Sequence, residues 1–189
     1  GHLGGANELT GKLSNLTGAI PVITTATDVN GRFAADVFAK RQNLWIADMK
    51  AAKQVSADVL DEKSIGLVTE FPISGQIPGE LKLLKGTEPF EGKSGLVIAL
   101  NEEYTPFPCT LHLIPRIVAL GIGCRRGKEA EAVERAVLSA LERNHLSVHS
   151  IFGAASIDLK AEEEGILAFC NKYGIPFRTY PAEALLESE

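Results

Sequence analysis

The chain has 189 residues, 45% of them hydrophobic, 23% charged and 6% aromatic, a composition that excludes disordered, collagenous and coiled-coil chains and suits one large or two small globular domains. Three cysteines, Cys109, Cys124 and Cys170, stand far apart with no CxxC pair, which argues against a disulfide framework or a zinc site and for a reducing cytoplasm. A net charge of −5 gives no general pull on nucleic acid, so any anion site must be local, and no apolar run reaches the roughly 18 residues that cross a bilayer.

Leu9, Leu13 and Leu16 recur at helical spacing, Gly18 is a good terminator, and the β-branched run Ile20 to Thr25 follows as a strand. Asp28, Asn30 and Gly31 make a turn, and Phe33, Val37 and Phe38 form a helical stripe that fades near Gln42 and Asn43. A second helix is expected from about Asp48 to Asp61 and a strand over Ile65 to Val68. The following stretch, FPISGQIPGELKLLKGTEPFEGKSG, holds three prolines and five glycines and reads as loop. Gly95 to Leu100 is a buried-looking strand, and YTPFPCTLHLIP crosses to Arg116 through three more prolines, with a domain boundary near Pro115.

Beyond it come a strand over Ile117 to Leu120, the glycine-rich turn GIGCRRG, and a helix with Val133, Val137, Leu138 and Leu141 on one face. Ser147 to Phe152 reads as the next strand, Glu162 to Lys172 as a helix, Pro176 to Tyr180 as an extended piece, and PAEALLESE as a short helix. The fold class is therefore α/β, with two small, mostly parallel-sheet units joined by a loop-rich middle segment. A first residue that is Gly1, on a glycine-rich segment with no preceding strand, gives the expectation of an excised or incomplete chain.

Gly121, Gly123 and Gly127 surround Cys124, Arg125 and Arg126 at a strand-to-helix turn, where free backbone N–H groups and the helix dipole favour an anion. Two adjacent guanidinium groups add forks suited to carboxylate or phosphate; the bland alternative is a tight turn with solvated arginines. A dinucleotide fingerprint fails, because the third glycine comes one position late and Arg126 stands in its place. Cys124, beside two arginines, could be a nucleophile, although a small residue packed in a turn is the simpler reading.

His2, near Asn7, could serve as a general base, and its position beside a chain end favours plain solvation. Thr25 and Asp28 close a strand where open α/β sheets bind ligands, with turn chemistry as the alternative. Ser156, Asp158 and Lys160 fall after a strand and before a helix, Asp158 doubling as a cap. Glu162, Glu163 and Glu164 read as a solvated first helical turn. His112, His145 and His149 have no ligand-type partners in sequence, and no metal site is expected.

Several phrases together resemble one family, the cobalamin biosynthesis protein CbiG. GHLGGANELTGKL with IPVITTATDVNGRFAADVFA is similar to the end of that family's N-terminal domain, and TEFPISGQIPGEL to its middle region. LHLIPRIVALGIGCRRG and SIDLKAEEEGILAFCNKYGIPFRTYPAEAL are similar to the start and centre of its C-terminal domain. The resemblance implies segments 1–40, 41–115 and 116–189, with relatives that extend before GHLGGAN and after PAEAL.

The implied activity is cobalt-precorrin-5A hydrolysis in anaerobic cobalamin biosynthesis: a δ-lactone on a ring-contracted tetrapyrrole opens with water, and two carbons leave as acetaldehyde. No cofactor is implied, because the cobalt arrives inside the substrate. The partner is then an anionic cobalt-tetrapyrrole, in the cytoplasm, with neither nucleic acid nor membrane, and with self-association or contact with other pathway enzymes as further expectations. The macrocycle's acetate and propionate arms are the ligands that the Arg125 and Arg126 loop would suit. Chemistry alone gives the base role to His2 or Asp158, and oxyanion or carboxylate stabilisation to N–H groups near Gly123 and Cys124 with Arg125. Asn7, Thr25, Asp28, Gly121, Arg126, Gly127, Ser156 and Lys160 complete the candidate substrate-binding set. The C-terminal portion also resembles CobE, which leaves a non-enzymatic carrier of corrinoid intermediates as the alternative. A nucleotide-binding regulator is a third reading.

Overall fold

Leu9, Leu13 and Leu16 do recur on a helix, α1 (Ala6–Thr17), which ends at Gly18, and all three side chains are exposed. The computed structural model describes residues 6–20, 33–85 and 88–186. The expected strand to Thr25, the turn near Asp28, and His2 lie outside the described residues. The chain divides into two units, Gly1–Leu113 and Ile114–Glu189.

In the first unit the Phe33 stripe leads into α2 (Ala35–Arg41), and a three-residue strand, β1 (Leu44–Ile46), follows. The second expected helix is α3 (Met49–Leu60), stopped at each end by an aspartate: Asp48 accepts from the Lys50 N–H at 2.7 Å, and Asp61 closes the far end. Then come β2 (Ile65–Thr69), β3 (Leu81–Leu83), β4 (Ser94–Ile98) and β5 (Cys109–Pro115), in a five-stranded sheet of order β1-β5-β4-β2-β3. The β2–β3, β2–β4 and β4–β5 pairs are parallel.

The proline-interrupted crossing expected at YTPFPCTLHLIP is a strand instead, placed between β1 and β4. Pro106 and Pro108 precede it and Pro115 ends it, so no proline removes a ladder donor from its middle. Residues 111–115 are buried without alternation, as in a strand covered on both faces. One face packs on α2 and α3 through Phe38, Val55, Val59, Leu67, Leu96 and Leu111. The other is covered by aromatic rings: Phe107 lies directly over Gly66 and Gly95, and Phe90 meets it edge-on at 5.5 Å. Glycine at those two positions leaves the ring room.

The second unit is a parallel sheet of order β6-β7-β8, made of β6 (Val118–Gly121), β7 (Ile151–Ile157) and β8 (Phe177–Tyr180). Helices α4 (Ala130–Arg143) and α5 (Glu164–Tyr173) bury Val133, Val137, Leu141, Ile166 and Phe169 against it, and α6 (Ala182–Leu186) follows. The strand expected from Ser147 starts later, because Ser147 caps a 3-10 turn at Val148–Ser150. Its second half, Gly153 to Ser156, is made of small residues with little strand character and is held by pairing on both sides. Gly174, in the left-handed region at φ 63°, ends α5.

Candidate functional site

Because β6 and β7 run parallel, their C-terminal ends open on one edge, where open α/β sheets bind ligands. The pairing continues one residue beyond β6: the Ile122 N–H donates to the Ala155 carbonyl at 2.9 Å, and the Ser156 hydroxyl donates to the Ile122 carbonyl at 2.6 Å. Ser156 is buried, and its hydroxyl anchors the departing chain. From there residues 122–129 loop into α4.

Gly127, at φ 70°, supplies the left-handed step that turns this loop. Gly121 and Gly123 have no such backbone demand, and a Cβ on either would meet no atom within 4 Å. Internal packing does not require glycine there, and the bare backbone leaves the strand end open to close approach from outside.

Beside the loop is a cavity of about 340 Å³. Its floor is apolar, with Ala132 and Ala136, Val133 and Val137 stacked one helical turn apart on α4. Ile122, Gly123, Cys124 and Arg125 form the loop side, and Lys128 joins them. No ion pair to a described residue occupies Arg125 or Lys128. Cys124 is half-buried and packs on the core of this unit.

The two adjacent arginines differ in their place relative to this cavity. Both are exposed; Arg125 lines the cavity, and Arg126, in the turn with Gly127, does not. Lys128 is the second cation, and sequence reasoning passed over it.

Two of the loop's N–H groups are engaged within the chain. Those of Gly127 and Lys128 donate to Glu163 Oε1 at 2.6 Å and 3.2 Å. Glu163 is the N-cap residue of α5 and buried, in contrast to the solvated turn expected for the glutamate run. Its other oxygen, Oε2, accepts from Lys160 Nζ at 3.1 Å. The Lys160 ammonium, with help from the two N–H groups, holds the Glu163 carboxyl below its ordinary range against the opposing push of burial. Lys160 is thus committed to Glu163. The signal that could have found this contact was Lys160 and Glu163 three residues apart, with Gly165 just beyond.

Asp158 is exposed at the end of β7, in the 3-10 turn Asp158–Lys160, and its Oδ1 accepts from the Leu159 N–H at 2.8 Å. It stands on the same sheet edge as the loop. Asn7 lies in the first turn of α1, and His2, Thr25 and Asp28 lie outside the described residues. His112 is buried with Nε2 2.9 Å from the Tyr104 carbonyl oxygen. No group of three His, Cys, Asp or Glu suited to a metal ion occurs among the described residues. Another cleft, of about 590 Å³, opens in the first unit between α2 and the loop Ser74 to Glu80, and holds none of the residues expected from sequence.

Three family models match along the chain: "Cobalamin synthesis G N-terminal" over residues 1–28, "Cobalamin biosynthesis central region" over 33–115, and "Cobalamin synthesis G C-terminus" over 118–189. The chain is similar to the cobalt-precorrin-5A hydrolase of Priestia megaterium, at 32% identity over 98% of this chain and 53% of that protein. It is also 32% identical to the cobalt-precorrin-5A hydrolase of Salmonella typhimurium, over 100% of this chain and 56% of that protein. The chain spans about half the length of the curated relatives it matches. Among solved structures, a cobalamin biosynthesis protein G homolog from Sulfolobus solfataricus aligns at 20% identity and a TM-score of 0.34, over 98% of this chain and 53% of that one.

Proposed function

The chain belongs to the cobalamin synthesis G family, and from that premise we propose that it acts as a cobalt-precorrin-5A hydrolase, opening the δ-lactone of a ring-contracted cobalt-tetrapyrrole with release of acetaldehyde. The observation that carries the reading is the cavity beside the loop after β6, with an apolar Ala/Val floor and Arg125 and Lys128 on its lining. A macrocycle with an apolar body and carboxylate arms needs such a surface: hydrophobic contact for the ring, and charge-assisted hydrogen bonds for the arms. Arg125 can grip a carboxylate with two parallel N–H bonds, while Lys128 adds a point charge.

Lactone opening requires an activated water and donors aimed at the developing oxyanion. In this proposal Asp158, on the same sheet edge as the loop, takes the proton from water. The N–H groups of Gly123 and Cys124, with Arg125, face the charge that develops. Cobalt enters and leaves as part of the substrate. No helix among the described residues is long and apolar enough to cross a membrane, and a cytoplasmic site of action, with self-association or contacts to neighbouring enzymes of the same route, extends the proposal.

Incubation with cobalt-precorrin-5A tests the reading. Acetaldehyde release at a rate above the uncatalysed background is the expected result. Tight binding without release would instead make the chain a carrier of corrinoid intermediates, and preference for NAD or ATP over a cobalt corrinoid would overturn the ligand assignment.

A further inference from the structure

Glu163 accepts two backbone N–H groups of the loop after β6, and its side chain is only 7% exposed. Both carboxylate oxygens are engaged: Oε1 takes the N–H groups of Gly127 and Lys128 at 2.6 Å and 3.2 Å, and Oε2 takes Lys160 Nζ at 3.1 Å. Successive N–H groups beside a left-handed residue form a concavity that binds anions, and Gly127 at φ 70° provides that step. The anion that fills it is the chain's own.

A separate feature brings α5 close enough. Gly165 lies against the Lys128 carbonyl oxygen, where a Cβ would stand 2.5 Å from that atom and 3.0 Å from Val133 Cγ2. Glycine at that position seats the start of α5 on the loop, and Glu163 then reaches the two N–H groups. The α4–α5 packing has its own polar tie elsewhere, since Glu134 accepts from Lys172 and from the Tyr173 hydroxyl at 2.6 Å. The bonds made by Glu163 thus restrain the loop and leave the joining of the helices to other groups.

We propose that Glu163 is the positioning residue of the anion-binding loop: it holds Gly127 and Lys128 so that Arg125 and Lys128 face the cavity, and it fills the backbone nest so that incoming carboxylates must bind those two side chains. The proposal deepens the substrate-binding reading and rests on it for the identity of the ligand. The restraint on the loop is independent of that identity.

The test uses the whole chain with Glu163→Ala and Glu163→Gln, and a cobalt corrinoid with free carboxylates, such as cobyrinic acid, as the probe. Glu163→Ala should bind the corrinoid about tenfold more weakly, as expected for losing charged hydrogen bonds that order the loop. Added formate, a small carboxylate able to occupy the vacated nest, should recover part of that loss while giving the wild type no gain. Unchanged affinity in Glu163→Ala, or loss with no recovery by formate, overturns the proposal. If the wild type itself fails to bind the corrinoid, the ligand reading fails, and amide hydrogen exchange still decides the restraint. The Gly127 and Lys128 amides should exchange faster in Glu163→Ala and slow again with formate; unaltered exchange contradicts the proposal. Should Glu163→Ala not fold, Glu163→Gln, which keeps an acceptor for the two N–H groups and loses the charge pair with Lys160, is read by the same measurements. It should show a smaller change in the same direction, and wild-type affinity and exchange would overturn the proposal.

Discussion

Gly165 sits against the backbone of Lys128, with the position of its missing Cβ 2.5 Å from the Lys128 carbonyl oxygen. Because the opposing atom belongs to the main chain, no rotamer change can relieve the contact. Gly165→Ala must push α5 away from the loop, at a cost of about 1–3 kcal/mol as for other overpacked sites. Its lowered melting temperature should come with weakened corrinoid binding. Gly121→Ala, where a Cβ meets nothing within 4 Å, should leave the melting temperature unchanged.

Arg125 and Lys128 line the cavity and Arg126 does not. Substituting Arg125 and Lys128 together by alanine should lower affinity for a corrinoid polycarboxylate by one to two orders of magnitude, about 1.5–3 kcal/mol for charged hydrogen bonds. The wild type should lose affinity with added salt more steeply than the double variant. Arg126→Ala alone should change little. Isothermal titration at two ionic strengths separates the cases.

The Glu163 carboxyl is held below its ordinary range by Lys160 and the two loop N–H groups. A depressed carboxyl contributes stability above its unfolded value, near 4.5, and that contribution is lost as pH falls through the lower folded value. Wild type should therefore exceed Glu163→Gln by a constant margin at neutral pH, and the margin should shrink in acid. Asp58 and Glu134 are depressed in the same way, so the difference between the two proteins, followed by urea midpoints against pH, isolates Glu163.

At the start of β4 in the first unit, Ser94 donates to the buried carboxylate of Asp58, which also accepts from Lys63 Nζ at 2.8 Å and from Gln54 at 3.1 Å. Ser94→Ala removes one donor from a buried acceptor and should cost about 1–3 kcal/mol. Denaturant unfolding measures the loss, and corrinoid affinity of the folded variant should match the wild type.

Cys170 is buried in the core of the second unit, and burial pushes its thiol above the ordinary range. In the native protein it should resist a thiol reagent that labels half-buried Cys124, and become reactive only on unfolding.

Local signals in the sequence carried much of the fold. The ends of α3 were legible because an aspartate closes each one, and the strand–loop–helix run from β6 to α4 because its apolar spacing changes period. β5 was hidden by prolines that lie at its ends, and β1 and β3, three residues each, are too short to show a period. The site was half legible. The GIGCRRG loop announced a strand-to-helix turn, but adjacency in sequence does not place two side chains in one cavity: Arg125 and Lys128 line it and Arg126 does not. Glu163 was missed because three consecutive glutamates at a helix start look solvated, and only the approach of α5 to Lys128 shows that the middle one is buried.

In the proposed function the cavity beside the loop after β6 holds an anionic tetrapyrrole through Arg125 and Lys128. A titration of the chain with cobyrinic acid, followed by amide chemical shifts, reads that binding residue by residue. Saturable shifts concentrated at Gly123, Cys124, Arg125, Lys128 and the α4 positions 132 and 136 are expected, with the Arg125→Ala, Lys128→Ala double variant needing about ten- to hundredfold more ligand to reach them. Saturable binding with no shifts at those positions, or with the double variant binding as tightly as the wild type, would contradict it.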